Sequence, residues 1–459
     1  MTGRIMRIEV RRSAVPGIAL LLVVVGAALM LTVTGGYAGR WTQLAVYARS
    51  TLMMLMPLAL AGGAWLGRRD RRHRVDELFG TTVRPRWRRS VPLAAGYALA
   101  LVTAYLLTFL LGIPWVAPSA GYFPVSTIPI TAVGALALVA AGWLGMAAGR
   151  AVPRVATAPV LAVVAFAVLT FVPDYVSMSG YDENFTKVRP DPAALLLAPA
   201  INSLNDFTTI PSSVSLLQAL WLAALAATGL LLLGAVGRRA VALAVLPAVV
   251  GAAVAVSLLP TGGYSGSAVL DPAAVELVCD DDGPQVCVTR AHAALLPKVV
   301  GPARKTLALI DAKLPGTAPT RVEEGRQLVD NTVRADASHV RDDGTLVFDA
   351  LSIGWTGFSD VSPDELSAAL LDAAWWRECE TGYPTFLARA VAVAWLTGGQ
   401  PDLGRGSTAP EEREKADAAL RELRNLPSDE QRKRVQAARA AALGCEIDRF
   451  HSLLFLAQP

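Results

Sequence analysis

The chain has 459 residues, 53% of them hydrophobic and 17% charged, with a net charge of +4 and a mean hydropathy of +0.43. Charge is divided unevenly, with 21 basic against 9 acidic residues up to residue 259 and 21 against 29 beyond it. A single soluble domain is excluded by repeated apolar runs of about 20 residues, the length that crosses a bilayer, and the composition excludes collagen, coiled coil and wholesale disorder. Nucleic-acid binding is not implied, because the arginines of the first half sit between apolar runs.

Seven apolar segments follow in chain order, at 14–34, 51–67, 91–116, 127–149, 155–173, 213–236 and 240–259. In hydrocarbon each backbone amide must be satisfied within its own segment, so these runs are expected to be helices. The first is too long for a signal-peptide core and lacks an A-x-A cleavage site. Gly134–Gly145, rich in Gly and Ala, suits close helix packing. With the N-terminus in the cytoplasm, the inside segments hold Arg4, Arg7, Arg11, Arg12, nine arginines between 68 and 89, Arg150, Arg154, Arg238 and Arg239. The outside loops then hold only Arg40, Arg49, Lys187 and Arg189. That bias sets the orientation, and seven crossings place everything after residue 260 outside the cytoplasm. The expected fold is therefore an α-helical polytopic membrane protein of six or seven transmembrane helices followed by an α+β extracytoplasmic domain. The first part covers 1–259, with an inside loop at 68–90 and an outer loop at 174–212, and the second covers 260–459. Alanine and arginine richness suggests a bacterial cell membrane, where the sequon Asn184-Phe185-Thr186 is usually silent.

The loop 68–90 is the segment from which a mechanism can be argued. Its arginines suit anionic headgroups, and Trp87 suits the interface at the start of the third run. Between two basic clusters lies Val75–Phe79, acidic and apolar, ending at Gly80. Orientation alone explains the arginines but not this amphipathic insert, which suits docking on a partner protein. The pattern R-R-x-R-R-x-x-x-D-E-L-F-x-T-T-x-x-P-R-W-R, after a basic N-terminal segment and a pair of spans, resembles permease subunits of ABC transporters. The resemblance is to the type-2 exporter class, in the form rich in Ala, Gly, Val and Arg found in actinobacteria.

That resemblance implies that Asp76, Glu77, Leu78, Phe79 and Thr81 dock a coupling helix onto an ATP-binding subunit on the cytoplasmic side. It also implies a second permease chain, identical or different, and a six-span core matching residues 1–237. Short re-entrant helices are implied within Pro173–Pro211, with Leu195–Leu197 as their apolar patch. The seventh span and the large outer domain depart from the simplest form of the family. A spanning segment without intramembrane charge argues against a carboxylate proton relay and suits an apolar or amphipathic substrate. The run Gly399–Gly406 lacks the Lys-Ser/Thr of a phosphate-binding loop, so ATP hydrolysis would belong to another subunit. No cofactor, no nucleic-acid partner and no catalytic residue are expected, and the partners implied are the ATP-binding subunit, a second permease chain and membrane lipid.

Beyond residue 260, Ala274–Cys279 and Gln285–Arg290 read as two strands around Asp280-Asp281-Asp282-Gly283-Pro284. A helix is expected over Ala291–Leu314 and short strands over Thr320–Glu323 and Thr345–Asp349. A capped helix start is expected at Ser362-Pro363-Asp364-Glu365 and a solvated helical pair between Pro410 and Ala442. All four cysteines, Cys279, Cys287, Cys379 and Cys445, lie in this part, as suits an oxidising compartment. Four cysteines allow three pairings. The hairpin favours Cys279–Cys287, leaving Cys379 with Cys445, over four free thiols or a zinc site without C-x-x-C spacing. Fused outer domains of related permeases sometimes resemble zinc peptidases bearing H-E-x-x-H. Here Asp364-Glu365-Leu366-Ser367-Ala368 lacks both imidazoles. His292, His339 and His451 are expected in surface or packing roles. Trp375 and Trp376 are expected to pack the domain or meet the membrane face. Asp280–Asp282 is expected to be a solvated turn. A membrane-anchored binding or sensing protein, with its function in the outer domain, is the alternative reading.

Overall fold

The computed structural model describes residues 13–69, 86–178, 195–196, 206–259, 268–325, 327–329, 332–334, 339–350, 362–379, 385–403 and 410–455. The chain is mostly helical and divides into two compact units, Met1–Asp271 and Pro272–Pro459.

In the first unit the helices are α1 (Val15–Thr32), α2 (Trp41–Ser50), α3 (Leu52–Gly67), α4 (Arg86–Leu110), α5 (Thr127–Ala151), α6 (Thr157–Met178), α7 (Ser212–Gly234) and α8 (Arg238–Leu258). Each of the seven apolar runs forms a helix. Five of these helices are long and apolar enough to cross a bilayer by themselves: α1, α4, α5, α7 and α8. A sixth span exists if α2 and α3, bent by 46° at their junction, count as one, and Thr157–Pro173 of α6 is a shorter apolar helix. Strands β1 (Thr208–Thr209) and β2 (Val269–Leu270) pair antiparallel, which ties the segment following α8 to this unit up to Asp271.

The centre of the bundle is α5, the most buried of the candidate spans. Its small residues let two backbones meet. A Cβ on Gly145 would lie 2.0 Å from the Leu60 carbonyl oxygen, and one on Gly149 2.1 Å from that of Ala64. From the other side, a Cβ on Gly63 would lie 2.1 Å from the Gly142 oxygen. Such close approach gains dispersion where lipid offers no hydrophobic drive for helices to associate. Polar stitches add to it. Trp143 Nε1 donates to the Ala94 carbonyl at 2.9 Å, and Arg150 Nη1 donates to Ser90 Oγ at 3.1 Å and Leu233 O at 3.0 Å. Pro247 interrupts the ladder of α8, and the neighbouring Ala248 N–H is satisfied by Thr228 Oγ1 of α7 at 3.1 Å.

The second unit is built on a four-stranded sheet, β3 (Leu277–Asp280), β4 (Gln285–Thr289), β5 (Arg321–Glu324) and β8 (Thr345–Phe348), in that spatial order. The β3–β4 hairpin is antiparallel, whereas β4–β5 and β5–β8 are parallel. A parallel neighbour demands a crossover, and α9 (Leu296–Lys313) supplies it between β4 and β5. Strands β6 (Gln327–Val329) and β7 (Thr332–Arg334) form a separate antiparallel pair. Val299, Ala303, Leu307 and Ile310 recur at helical spacing along α9 and are buried with Val286, Val288, Val322, Leu346 and Phe348 of the sheet. Five more helices complete the same core: α10 (Pro363–Ala373), α11 (Phe386–Thr397), α12 (Pro410–Asn425), α13 (Ser428–Leu443) and α14 (Ile447–Leu454), with α12 also packed on α11.

The expected helix over Ala291–Leu314 begins late. Arg290–Leu295 is a tight 3-10 turn with His292 off helical geometry, and Pro297 opens the α-helix proper. At α10 the Ser362 hydroxyl accepts from Glu365 N at 3.5 Å, with Pro363 at the first position. The pair between Pro410 and Ala442 is less solvated than expected. Leu420 and Leu423 of α12, and Val435, Ala438 and Arg439 of α13, are all buried.

Candidate functional site

The sequence assigns Arg49 to a loop ahead of the second apolar run; in the structure it lies on a helix and is buried. Trp41, Leu44, Ala45 and Ala48 recur at i, i+3, i+4 and i+7. They make Trp41–Ser50 the helix α2, with Arg49 fully buried one residue before the break to α3. Thr51 marks that break, and its hydroxyl is consumed by the Ala48 carbonyl at 2.6 Å. A buried charge is costly unless it is paired and hydrogen-bonded, so such a residue needs a partner. One partner comes from α7: Arg49 Nη2 donates to Gln218 Oε1 at 2.8 Å.

Gln218 is nearly the only amide in a long apolar run, and both its ends are used. Its Nε2 donates to the Leu195 carbonyl at 3.1 Å, and one turn further on Trp221 Nε1 donates to the Leu196 carbonyl at 3.2 Å. Leu195 is buried with Ala45, Val46, Val214, Ala255 and Leu259. Leu195 and Leu196, from the segment between α6 and α7, are thereby held against α2, α7 and α8. Leu195 and Leu196 form a helical turn; Leu197 lies outside the described residues.

A second set of polar contacts lies at the start of α2. Arg40, just before α2, forms an ion pair with Asp206 and donates to the Gly36 carbonyl at 3.1 Å. Tyr122 donates to Asp271 Oδ2 at 2.7 Å, and Thr209 Oγ1 donates to Ser126 Oγ at 2.7 Å. Three loops and the β1–β2 ladder are thus tied over the start of α2, while Arg150, Ser90 and Leu233 lie where α5 ends, α4 begins and α7 ends. Chemically, the guanidinium, the amide and the Leu195 carbonyl are bonded in series at a broken helix, which fastens α2 to α7 and to Leu195–Leu196. This group contains no nucleophile paired with a base.

The other predicted residues fare differently. Asp76, Glu77, Leu78, Phe79 and Thr81 lie outside the described residues, as does the rest of 70–85. Cys279 faces Cys287 across the β3–β4 hairpin and is bonded to it; Cys379 is bonded to Cys445. Asp280 pairs with Arg304 of α9, and Gln285 donates to Asp281 Oδ1 at 2.8 Å, so the acidic turn is held by protein groups. Among the described residues no cluster of three His, Cys, Asp or Glu could hold a metal ion. Asp364 and Ala368 stand on α10 without an imidazole between them.

His292, His339, His451, Trp375 and Trp376 are packed. His292 is buried on Glu324, which also accepts from Thr289 N and Oγ1 at 2.8 and 2.9 Å. His339 lies against Trp376, with ring centroids 5.6 Å apart, and His451 stacks on Phe455 at 4.3 Å. Trp375 is wholly inside the core. Compared with known families, curated proteins and solved structures, the chain matches none.

Proposed function

We propose that the chain is an integral membrane permease subunit of an ATP-driven ABC transporter, moving an apolar or amphipathic substrate with ATP hydrolysed by a separate subunit. The observation that carries this reading is the break between α2 and α3, with fully buried Arg49 bonded to Gln218 of α7. Buried charge at a discontinuous span is costly and is characteristic of transport pathways. The close α3–α5 contact supplies a rigid unit that an energy-driven motion could move as one body. The two disulfides support an oxidising compartment for residues 272–459. An odd number of crossings, with α2–α3 as one span and α6 as another, delivers that arrangement from a cytoplasmic N-terminus in a bacterial cell membrane.

Two experiments test it. The tagged full chain, purified from its own membranes, is expected to carry a P-loop ATPase whose turnover responds to the complex, and scrambling Val75–Thr82 is expected to abolish both. Absence of such an ATPase, or its persistence after scrambling, overturns the reading. For topology, all four native cysteines are paired. Asp282→Cys in the exposed turn should therefore be labelled by a membrane-impermeant maleimide on intact cells, and labelling only after lysis overturns the orientation. A second reading, a membrane-anchored binding protein, is favoured by a cavity of about 520 Å³ between α9, α10 and α11 of the C-terminal unit.

A further inference from the structure

The arginines of the first unit are partnered differently at its two ends. Arg40, before α2, pairs with Asp206. At the other end α3 stops beside the end of α5, where a Cβ on Gly67 would lie 2.0 Å from the Met146 carbonyl oxygen. Arg150 of α5 reaches Leu233 O near the end of α7, Arg154 lies between α5 and α6, and Arg238 and Arg239 open α8. Arg68, Arg150, Arg154, Arg238 and Arg239 thus share one end, and none of them forms an ion pair among the described residues.

Arg68 stands apart within this group. It caps α3 and is 7% exposed, yet its guanidinium makes no hydrogen bond among the described residues, whereas Arg150 bonds both Ser90 and Leu233. What the Arg68 guanidinium does meet is the Trp65 ring, with its carbon 4.0 Å from the centroid. Stacking on an indole covers one face of the cation and leaves its N–H edge, a fork that matches two oxygens of one anion. A charge this buried is costly without a counter-charge, so the fork calls for an anion.

The surroundings make that anion a lipid headgroup. Trp65 is 41% exposed at a helix end, the position tryptophan takes in the headgroup layer. Helix α6 begins at the same end, packs on α3 and leaves Val160, Val163 and Val164 more than half exposed, an apolar strip suited to acyl chains. Arg154, Arg238 and Arg239 are exposed, and their positive charge favours a headgroup of net negative charge over a zwitterionic one.

We propose that Arg68 and Trp65, at the C-terminal end of α3, form a binding site for the phosphate of an anionic phospholipid. The guanidinium fork takes two phosphate oxygens, the indole holds the guanidinium flat, and the acyl chains run along α6. The proposal rests on the chain lying in a bilayer and not on transport, so failure to find an ATPase would leave it standing.

The test titrates the full chain in detergent with phosphatidylglycerol, phosphatidylcholine and inorganic phosphate, and native mass spectrometry counts the lipids bound per chain. Phosphatidylglycerol is expected to bind saturably, at least about fivefold tighter than phosphatidylcholine, and inorganic phosphate is expected not to displace it. Arg68→Gln should weaken phosphatidylglycerol binding by about tenfold, and Arg239→Gln, at an exposed position, by no more than about twofold. Trp65→Leu, also exposed, should weaken it by about threefold and carries the test if Arg68→Gln does not fold. Equal binding of the two lipids overturns the proposal, as does displacement by inorganic phosphate, which would make the site one for a soluble anion. Equal losses in Arg68→Gln and Arg239→Gln, or an affinity unchanged by Trp65→Leu, overturn it as well, because general surface charge would then account for the binding.

Discussion

Arg49 Nη2 donates to Gln218 Oε1 at 2.8 Å, joining the end of α2 to α7 where neither side chain reaches solvent. Removing one member of a buried charged hydrogen bond leaves the other's desolvation uncompensated, at a cost of about 2–3 kcal/mol. Gln218→Leu also removes the bond to the Leu195 carbonyl. It should therefore lower the unfolding midpoint of the detergent-solubilised chain, read by fluorescence-detected gel filtration after heating. Arg49→Met combined with Gln218→Leu should recover part of that loss, because the charge goes with its partner. A double variant as unstable as the sum of the singles would show that the two residues act independently.

The α3–α5 contact makes a sharper steric prediction. Gly145→Ala places a methyl group 2.0 Å from a backbone oxygen that cannot rotate away. The helices must separate, and overpacking of this kind costs about 1–3 kcal/mol. Gly17, in the first turn of α1 and followed by Ile18 rather than a proline, meets nothing within 4 Å of an added Cβ. Gly17→Ala should therefore stabilise by about 0.5–1 kcal/mol through helix propensity alone. The same substitution is expected to act with opposite sign at the two positions, as thermal melts of the two variants would show.

Bilayer physics made the helices of the first unit readable, since an apolar run of spanning length has few alternatives to a helix. What stayed hidden was α2. Its apolar period was present, but a ten-residue stretch with Arg49 and polar neighbours is short of a span and reads as loop. Its burial depends on α7 supplying Gln218, a residue 169 positions away, and on Leu195 packing in from the segment between α6 and α7. In the second unit the hairpin was legible because Asp-Gly-Pro punctuation separates two β-rich runs. The parallel order of β4, β5 and β8 was not, since it is set by how α9 packs rather than by any local residue. The cavity was equally unreadable, because Thr306, Asp364 and Phe386 come from three helices whose meeting is tertiary.

The two disulfides differ in what they restrain. Cys279 and Cys287 are 8 residues apart and already opposed by the hairpin, whereas Cys379 and Cys445 are separated by 66 residues. On the chain-entropy account, closing the longer loop is worth about 4 kcal/mol and the shorter about 2.5 kcal/mol. Cys379→Ala with Cys445→Ala should therefore destabilise the C-terminal unit more than the hairpin pair of substitutions. Cys445 also has a φ of 60°, in the left-handed region. Replacing it by Gly instead of Ala should return about 1 kcal/mol of the loss. Urea titrations of the three variants, followed by tryptophan fluorescence, would rank them.

Acid should act through the hairpin turn. The Arg304 guanidinium bonded to Asp280 holds that carboxyl below its ordinary value of 3.8, with the Asp282 amide assisting. A carboxyl lowered in the folded state stabilises it above the unfolded value, and the contribution disappears as pH falls through the folded one. Asp280→Asn should therefore differ from the parent chain at neutral pH. The two stabilities should converge as pH drops below about 4. A difference that persists unchanged into strong acid would place the effect of Asp280 in packing rather than charge.

Arg439 sets a stability trade-off in the core of the second unit. It is 2% exposed, its guanidinium carbon lies 5.8 Å from the Trp375 ring centroid, and no carboxylate pairs with it among the described residues. Burial alone pulls its pKa down from 12.5 to about 10. Because the folded value of this base is depressed, the folded state releases its proton more readily than the unfolded chain does. Stability is therefore expected to rise as pH climbs through about 10. Replacing a buried charge by an apolar side chain of similar length removes the desolvation cost while keeping contact with Trp375, and such exchanges stabilise by about 1–4 kcal/mol. Arg439→Met should raise the unfolding midpoint and flatten the alkaline dependence, whereas Arg439→Ala should lower the midpoint by opening a cavity beside the indole. A lower midpoint for Arg439→Met would mean that the attraction between guanidinium and indole outweighs the desolvation of the charge.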